Sequence, residues 1–238
     1  MSLLHRIVIA LVMLIAASYL DIRSREVPHK FWIPFIIIGV SLTVYDFYMG
    51  TPGYDLLHLA FAIGLVSALS WAAYFLNLYG GADWIALTVL SFLFPIYSSA
   101  GMFHSFGALA AFTNSVLLSG LLPMLFLLVN LFKVIKGEKI FEGFEDSRAS
   151  KIKAMFLGTR KKHVGRFDYS LEKIVEGKRK FNFAMGMINE DFATGKDMWT
   201  SPGIPLLVLV LAGFIVTMLF GDLLFTMISS IFRLVYRM

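Results

Sequence analysis

Long apolar runs alternate with short polar segments along the chain, and five of those runs fall within the first 132 residues. A helix that crosses a bilayer needs roughly 20 mostly apolar residues. By that measure the pattern predicts six spans, at about 4–20, 31–49, 57–79, 83–100, 106–132 and 203–221. The connections among the first five are short and carry turn residues, as in Gly50-Thr51-Pro52-Gly53 and Ser98-Ser99-Ala100-Gly101. Pro123 lies inside the fifth run and predicts a tilt or kink there. Residues 133–200 differ in kind, mixing charged and apolar positions without a spanning run. Thr200-Ser201-Pro202 then reads as a cap with proline at the first helical position, the start of the sixth span. The expected architecture is an all-α polytopic membrane protein of about six transmembrane helices with an insertion before the last. Its parts are helices one to five over 1–132, the insertion over 133–200, and the sixth helix with a tail over 201–238. Residues 222–238 read either as an interfacial amphipathic helix or as a short seventh span.

Composition supports this reading. Hydrophobic residues make up 58% of the 238 positions, and the mean hydropathy is +0.76, more apolar surface than one soluble core can hide. Cysteine is absent, which excludes disulfides, thiolate metal sites and cysteine nucleophiles. The five histidines show no metal-ligand spacing, and neither a metal nor a cofactor is expected. The net charge of +5 points to topology and anionic lipid headgroups, with no nucleic-acid partner. The first run is followed by Asp21-Ile22-Arg23-Ser24-Arg25 and not by a small-residue cleavage site, so it reads as a retained helix. Loop 21–30 carries Arg23, Arg25 and Lys30, loops 50–56 and 101–105 carry no lysine or arginine, and segment 133–200 carries fifteen. Both basic regions are therefore expected in the cytoplasm, and alternation brings the loop before Asp83 to the same side.

Two aspartates end or begin apolar runs: Asp21 after Ser18-Tyr19-Leu20, and Asp83 after Tyr79-Gly80-Gly81-Ala82. A carboxylate at the edge of a span is unfavourable and marks a functional site by default. Two carboxyls at one face can share a proton. The ionised member then takes a proton from water while the protonated one donates to a substrate carbonyl. Asp21 ends its helix and Asp83 begins one, so the helix dipoles predict Asp83 as the more readily ionised partner and Asp21 as the proton holder. Gly80, Gly81 and Ala82 leave little bulk beside Asp83 and would let an extended substrate backbone approach. Each feature also has an ordinary explanation. Asp83 can be a helix cap contributing about 1 kcal/mol, Asp21 can pair with Arg23 or Arg25 in solvent, and Gly80-Gly81 can be a turn.

The stretch Asp21-Ile22-Arg23-Ser24-Arg25-Glu26-Val27-Pro28 resembles the first aspartate motif of the type IV prepilin peptidases. Gly80-Gly81-Ala82-Asp83 resembles their second, Gly-x-Gly-Asp, with Ala82 in place of the second glycine. The similarity is to the archaeal branch, the preflagellin and prepilin peptidases, and extends to Trp199, Pro202 and Ile204-Pro205 ahead of the last span. It implies an aspartic-type endopeptidase in the plasma membrane, with Asp21 and Asp83 catalytic at the cytoplasmic face and Gly80, Gly81 and Ala82 in the active-site loop. It implies as substrates archaellin or pilin precursors with a short positive leader before a hydrophobic helix, and membrane lipids as the other partner. Without cysteine, cleavage without methylation is expected.

Two other readings stand beside it. One is a broader intramembrane or signal-peptide protease using the same pair. The other is an ion- or proton-coupled transporter, which would want inverted repeats and carboxylates at mid-membrane; no convincing repeat is visible. In the insertion, Lys151, Lys153, Arg160, Lys161 and Lys162 are expected at lipid headgroups or on a solvated face, and its phenylalanines in a small core or as interfacial anchors. His58, Asn77, Asn114 and Asn130 are expected to bond between helices. Asp46, Asp55 and Asp222 fall toward the outer face, away from the aspartate pair.

Overall fold

A computed structural model describes residues 3–76, 80–98, 102, 104–183 and 192–235. The chain folds as two compact units, Met1–Ser119 with Pro205–Met238, and Gly120–Ile204. The sequence pattern predicts those boundaries at 132/133 and 200/201, and both shifts have a local cause.

The first unit is helical: α1 (Leu3–Ser24), α2 (His29–Tyr48), α3 (Leu56–Phe75), α4 (Gly81–Leu93), α5 (Gly107–Gly120), α8 (Leu206–Phe220) and α9 (Leu223–Val235). Helix α4 packs against α2 and α3, and α1 packs against α8 and α4. The core joins Met13, Leu14 and Ala17 of α1 to Ala86, Leu87 and Leu90 of α4 and to Leu207 and Phe214 of α8. The opposite face of α1 exposes Leu4, Val8, Val12, Ile15, Tyr19 and Ile22 at helical spacing. An exposed apolar stripe over a buried core that includes Arg6 and Ser18 suits a helix whose solvent is hydrocarbon.

Among the described residues, four stretches are long and apolar enough to cross a membrane: α1, α2, α3 and Gly107–Ile135, with α8 and α9 together a fifth if the bent pair is one span. At the fourth of the six expected spans the structure departs from the apolar pattern. Helix α4 has 13 residues and stops at Leu93, where the apolar run predicts a span over 83–100. Pro95 cannot donate to the helix ladder, and the chain instead turns through a bridge pairing Ile96 with Phe106. Helix α8, at the expected sixth span, starts at Leu206 with Pro205 as N-cap, not at Pro202, because Thr200 and Ser201 are held in a strand.

At the end of the unit where α1 begins, Arg6 is 1% exposed and Asp46 2% exposed. The Arg6 guanidinium donates to Asp46 Oδ2 through Nε at 3.1 Å and Nη2 at 2.7 Å. Its Nη1 donates to the Leu93 carbonyl at 2.9 Å, one of the orphan acceptors at the α4 C-terminus. One side chain thereby ties α1, α2 and α4 together. His58 is not buried between helices; it pairs with Asp55, the N-cap of α3. Asn114 does bond between helices, from α5 to Thr217 of α8. Asn77 lies outside the described residues.

The second unit contains α6 (Leu122–Ile135), α7 (Arg148–Leu157), β1 (Thr159–His163), β2 (Asp168–Ser170), β3 (Glu172–Val175), β4 (Lys178–Phe181) and β5 (Lys196–Pro202). It begins before residue 133 because α6 packs on α7 and β1; Pro123 sits in the first turn of α6, where a missing N–H is tolerated. The all-α expectation is corrected here. An antiparallel sheet runs β1-β5-β2, with Arg160 opposite Trp199 and Ser170 opposite Thr200, and β3-β4 forms a hairpin. Central strand β5 pairs on both sides. Buried Trp199 packs with Phe141, Phe144, Phe181 and Phe183 and donates from Nε1 to the Ile140 carbonyl at 2.8 Å. Two of the cations expected at lipid headgroups or on a solvated face are engaged within the unit: Arg160 forks onto Asp197 at 2.8 and 2.7 Å, and Lys161 pairs with Asp168 at 2.8 Å.

The Arg160 hydrogen bond holds the Asp197 carboxyl below its ordinary value of 3.8. A carboxyl lowered by folding stabilises above the unfolded value, and the contribution disappears as pH falls below about 3.8 toward the lowered value. Asp197→Asn keeps a residue that tolerates the left-handed backbone at φ 48°. It should flatten the acid limb of the thermal melting temperature. An acid limb as steep as that of the unsubstituted protein would assign the pair no part in it.

Candidate active site

Asp21 lies in the last turn of α1 and Asp83 in the first turn of α4. Antiparallel α1 and α4 bring these two ends to one end of the unit, opposite the Arg6–Asp46 pair. The carboxyls are close enough for the charge of Asp21 to act on Asp83, and the charge of Arg25 acts on both. The start of α8 reaches the same place, since the Leu207 backbone N–H faces the Asp21 carboxyl.

The local sequence explains how each carboxyl is held. Gly80 is the N-cap of α4 and Asp83 its third helical residue. Asp83 Oδ2 accepts the Gly80 N–H at 2.9 Å, which satisfies one orphan donor of the helix start. The ordinary capping role and the placement of a buried carboxylate are thus one arrangement, and Asp83 is 7% exposed. Ala82 is helical, and no described residue at this turn has positive φ. Alanine in the second-glycine position is therefore compatible with the backbone here.

Asp21 is held differently. Its Oδ1 stands 4.0 Å from Arg25 Nη1, while its buried Oδ2 has no hydrogen-bond partner among the described residues. Arg25 has φ 60°, the left-handed conformation that commonly ends helices but is unfavourable for a side chain other than glycine or asparagine. Its N–H donates back to the Asp21 carbonyl at 3.0 Å. This turn swings the Arg25 side chain toward the two carboxyls. Along the chain Arg25 reads only as a topology signal and a solvated partner; the positive φ that aims it inward has no signature in the sequence. Arg25 beside Asp21 and the deep burial of Asp83 also enter the charge balance, which the helix dipoles alone do not determine.

A methyl group at Gly80 would lie 3.1 Å from Asp83 Oδ2, whereas one at Gly81 would meet nothing within 4 Å. Gly81 thus borders open space beside the buried carboxylate, and Gly80 permits its close backbone contact. Gly80→Ala should displace the carboxylate by a few tenths of an ångström and lower the catalytic rate up to roughly tenfold, less than the hundredfold that a 1 Å misplacement can cause. Turnover measured beside melting temperature separates the two effects; an unchanged rate would show that the contact is not needed.

Residues 8–135 match the model of the type IV leader peptidase family, and residues 139–223 match that of the archaeal peptidase A24 C-terminus, type II. The chain is similar to the preflagellin peptidase of Methanococcus maripaludis, 27% identical over 88% of this chain and 92% of that protein. It is similar to the preflagellin peptidase of Methanococcus voltae at 27% identity, over 90% and 94% of the two chains. The preflagellin peptidase of Methanocaldococcus jannaschii is 23% identical over 98% of this chain and all of that protein.

Proposed function

The chain belongs to the type IV leader peptidase family, and from that premise we propose that it removes the leader from archaellin or related pilin-like precursors with Asp21 and Asp83 as its catalytic pair. It is an aspartic-type peptidase and a membrane protein. The observation that carries the proposal is the gathering of two carboxyls from helix ends of opposite polarity, with Asp21 Oδ2 left unpaired among the described residues.

The chemistry follows from that arrangement. With one proton between them, the ionised carboxyl removes a proton from a water and the protonated one donates to the scissile carbonyl oxygen. Water adds to the carbonyl carbon to give a tetrahedral intermediate. The proton taken from water then passes to the leaving nitrogen, the C–N bond breaks as one hydroxyl of the intermediate returns its proton to the other carboxylate and the carbonyl re-forms, and the pair is back in its single-proton state. Arg25 balances the charge of the two carboxyls before substrate arrives. Gly81 admits the extended backbone at the scissile bond, while the hydrophobic helix of the precursor lies among the apolar helices. Arg23, Arg25 and Lys30 favour the cytoplasmic side for this end of the unit.

The test is purified protein in lipid vesicles with an archaellin precursor, with the preflagellin peptidase of Methanococcus maripaludis as positive control. The expected result is one cut ahead of the hydrophobic helix. A precursor left intact here but cleaved by the control would overturn the proposed substrate class.

A further inference from the structure

The chain does not run straight on from α8. Helix α9 departs at 55°, and the break is built from specific residues. Gly221 has φ 73° and ψ −150°, a conformation essentially confined to glycine. Asp222, 1% exposed, caps α9 by accepting the Phe225 N–H at 3.1 Å. It also accepts from Thr113 Oγ1 at 2.9 Å and meets His104 Nε2 at 3.2 Å. Asn114 bridges both sides of the break, donating to the Gly221 carbonyl and accepting the Leu223 N–H at 3.0 Å. A buried bracket from α5 thus ends one helix and starts the next at a fixed angle.

Helix α9 has 13 residues, about 20 Å of helix against a hydrocarbon core of about 30 Å. At 100° per residue, Leu224, Met227, Ile228, Ile231 and Phe232 fall on one broad face, and Thr226, Ser229, Ser230 and Arg233 on the other. No residue of α9 is buried. If α9 continued α8 through hydrocarbon, its polar face with Arg233 would meet lipid tails, which is strongly unfavourable. If it stood in water, Met227, Ile231 and Phe232 would be solvated while the adjoining α8 sits in the bilayer. A helix in the plane of the membrane surface, with its apolar face among the acyl chains and Arg233 at the headgroups, satisfies both faces.

We propose that α9 is an interfacial helix whose partner is the lipid surface at the end of the unit opposite Asp21 and Asp83. The side follows from α8, whose first turn faces Asp21 and whose last turn enters the bracket.

Because the chain has no cysteine, single-cysteine variants need no background removed. Spin labels at successive positions 226–234 of the full chain, in mixed phosphatidylcholine and phosphatidylglycerol vesicles, report collision with oxygen or with a water-soluble nickel chelate. The expected result is a 3.6-residue oscillation, oxygen-favoured at Met227, Ile231 and Leu234 and shifted to nickel-favoured at Ser229 and Arg233. Uniform preference for oxygen would make α9 part of a broken span, and uniform preference for nickel would remove it from the membrane. Spin–spin broadening on the apolar face would assign that face to a second copy of the chain. Any of these three outcomes overturns the proposal, and none depends on whether leader cleavage is observed.

Discussion

Asp83→Asn and Asp21→Asn are each expected to reduce leader cleavage by roughly a hundred- to ten-thousandfold, the range carried by positioned acid–base groups. Asparagine keeps the shape of the carboxyl, and at position 83 its side-chain oxygen can still accept the Gly80 N–H that holds the start of α4. Helix and fold should therefore survive while proton transfer is lost. The double variant should be about as slow as either single one, because groups that act as a unit lose their whole contribution when one is removed. Precursor-to-product conversion at saturating and at limiting precursor, with a melting curve for each variant, is the measurement. Near-normal turnover by either folded variant would exclude that aspartate from the mechanism. Losses that multiply in the double variant would mean two independent roles in place of one dyad.

Arg6→Ala should cost about 3–5 kcal/mol of stability, the range for removing one partner of a buried ion pair. It strands the Asp46 carboxylate at 2% exposure and withdraws a donor from the α4 C-terminus. Asp46→Ala should be comparably harmful, since it strands the guanidinium. Replacing both, as Arg6→Met with Asp46→Leu, should recover most of the loss, because an apolar pair needs no compensation in a buried site. Unfolding of the detergent-solubilised protein, followed by circular dichroism, gives the comparison. A double variant as unstable as the singles would show that the bonds of Arg6 to Leu93 and Thr43, and not the ion pair, hold this end together. The pair matters beyond stability because α1 and α4 are also the helices that carry Asp21 and Asp83.

Parts of this arrangement are legible in the chain itself. Asp21 and Asp83 stand out because charge at the edge of an apolar run is unfavourable wherever the chain folds, and that penalty is local. The ranges of α1, α2 and α3 lie close to the apolar runs for the same reason, since bilayer thickness sets the length of each. Hydrophobicity does not reveal the early stop of α4, which depends on Pro95 and on a bridge to Phe106. Nor does it reveal the sheet of the second unit. Thr159–His163 and Lys178–Phe181 are short, basic and half-exposed, and become strands only through their partners.

Local sequence is thus sufficient to mark a membrane protein and the two carboxylates that are its candidates for chemistry, because burial penalties accumulate residue by residue. Which groups meet depends on the packed fold. Arg6 finds Asp46 across 40 positions, Asn114 brackets the start of α9 from 109 positions away, and Arg25 turns toward both aspartates through a left-handed backbone. Such pairings follow from the direction and register of packed helices, which no local pattern encodes.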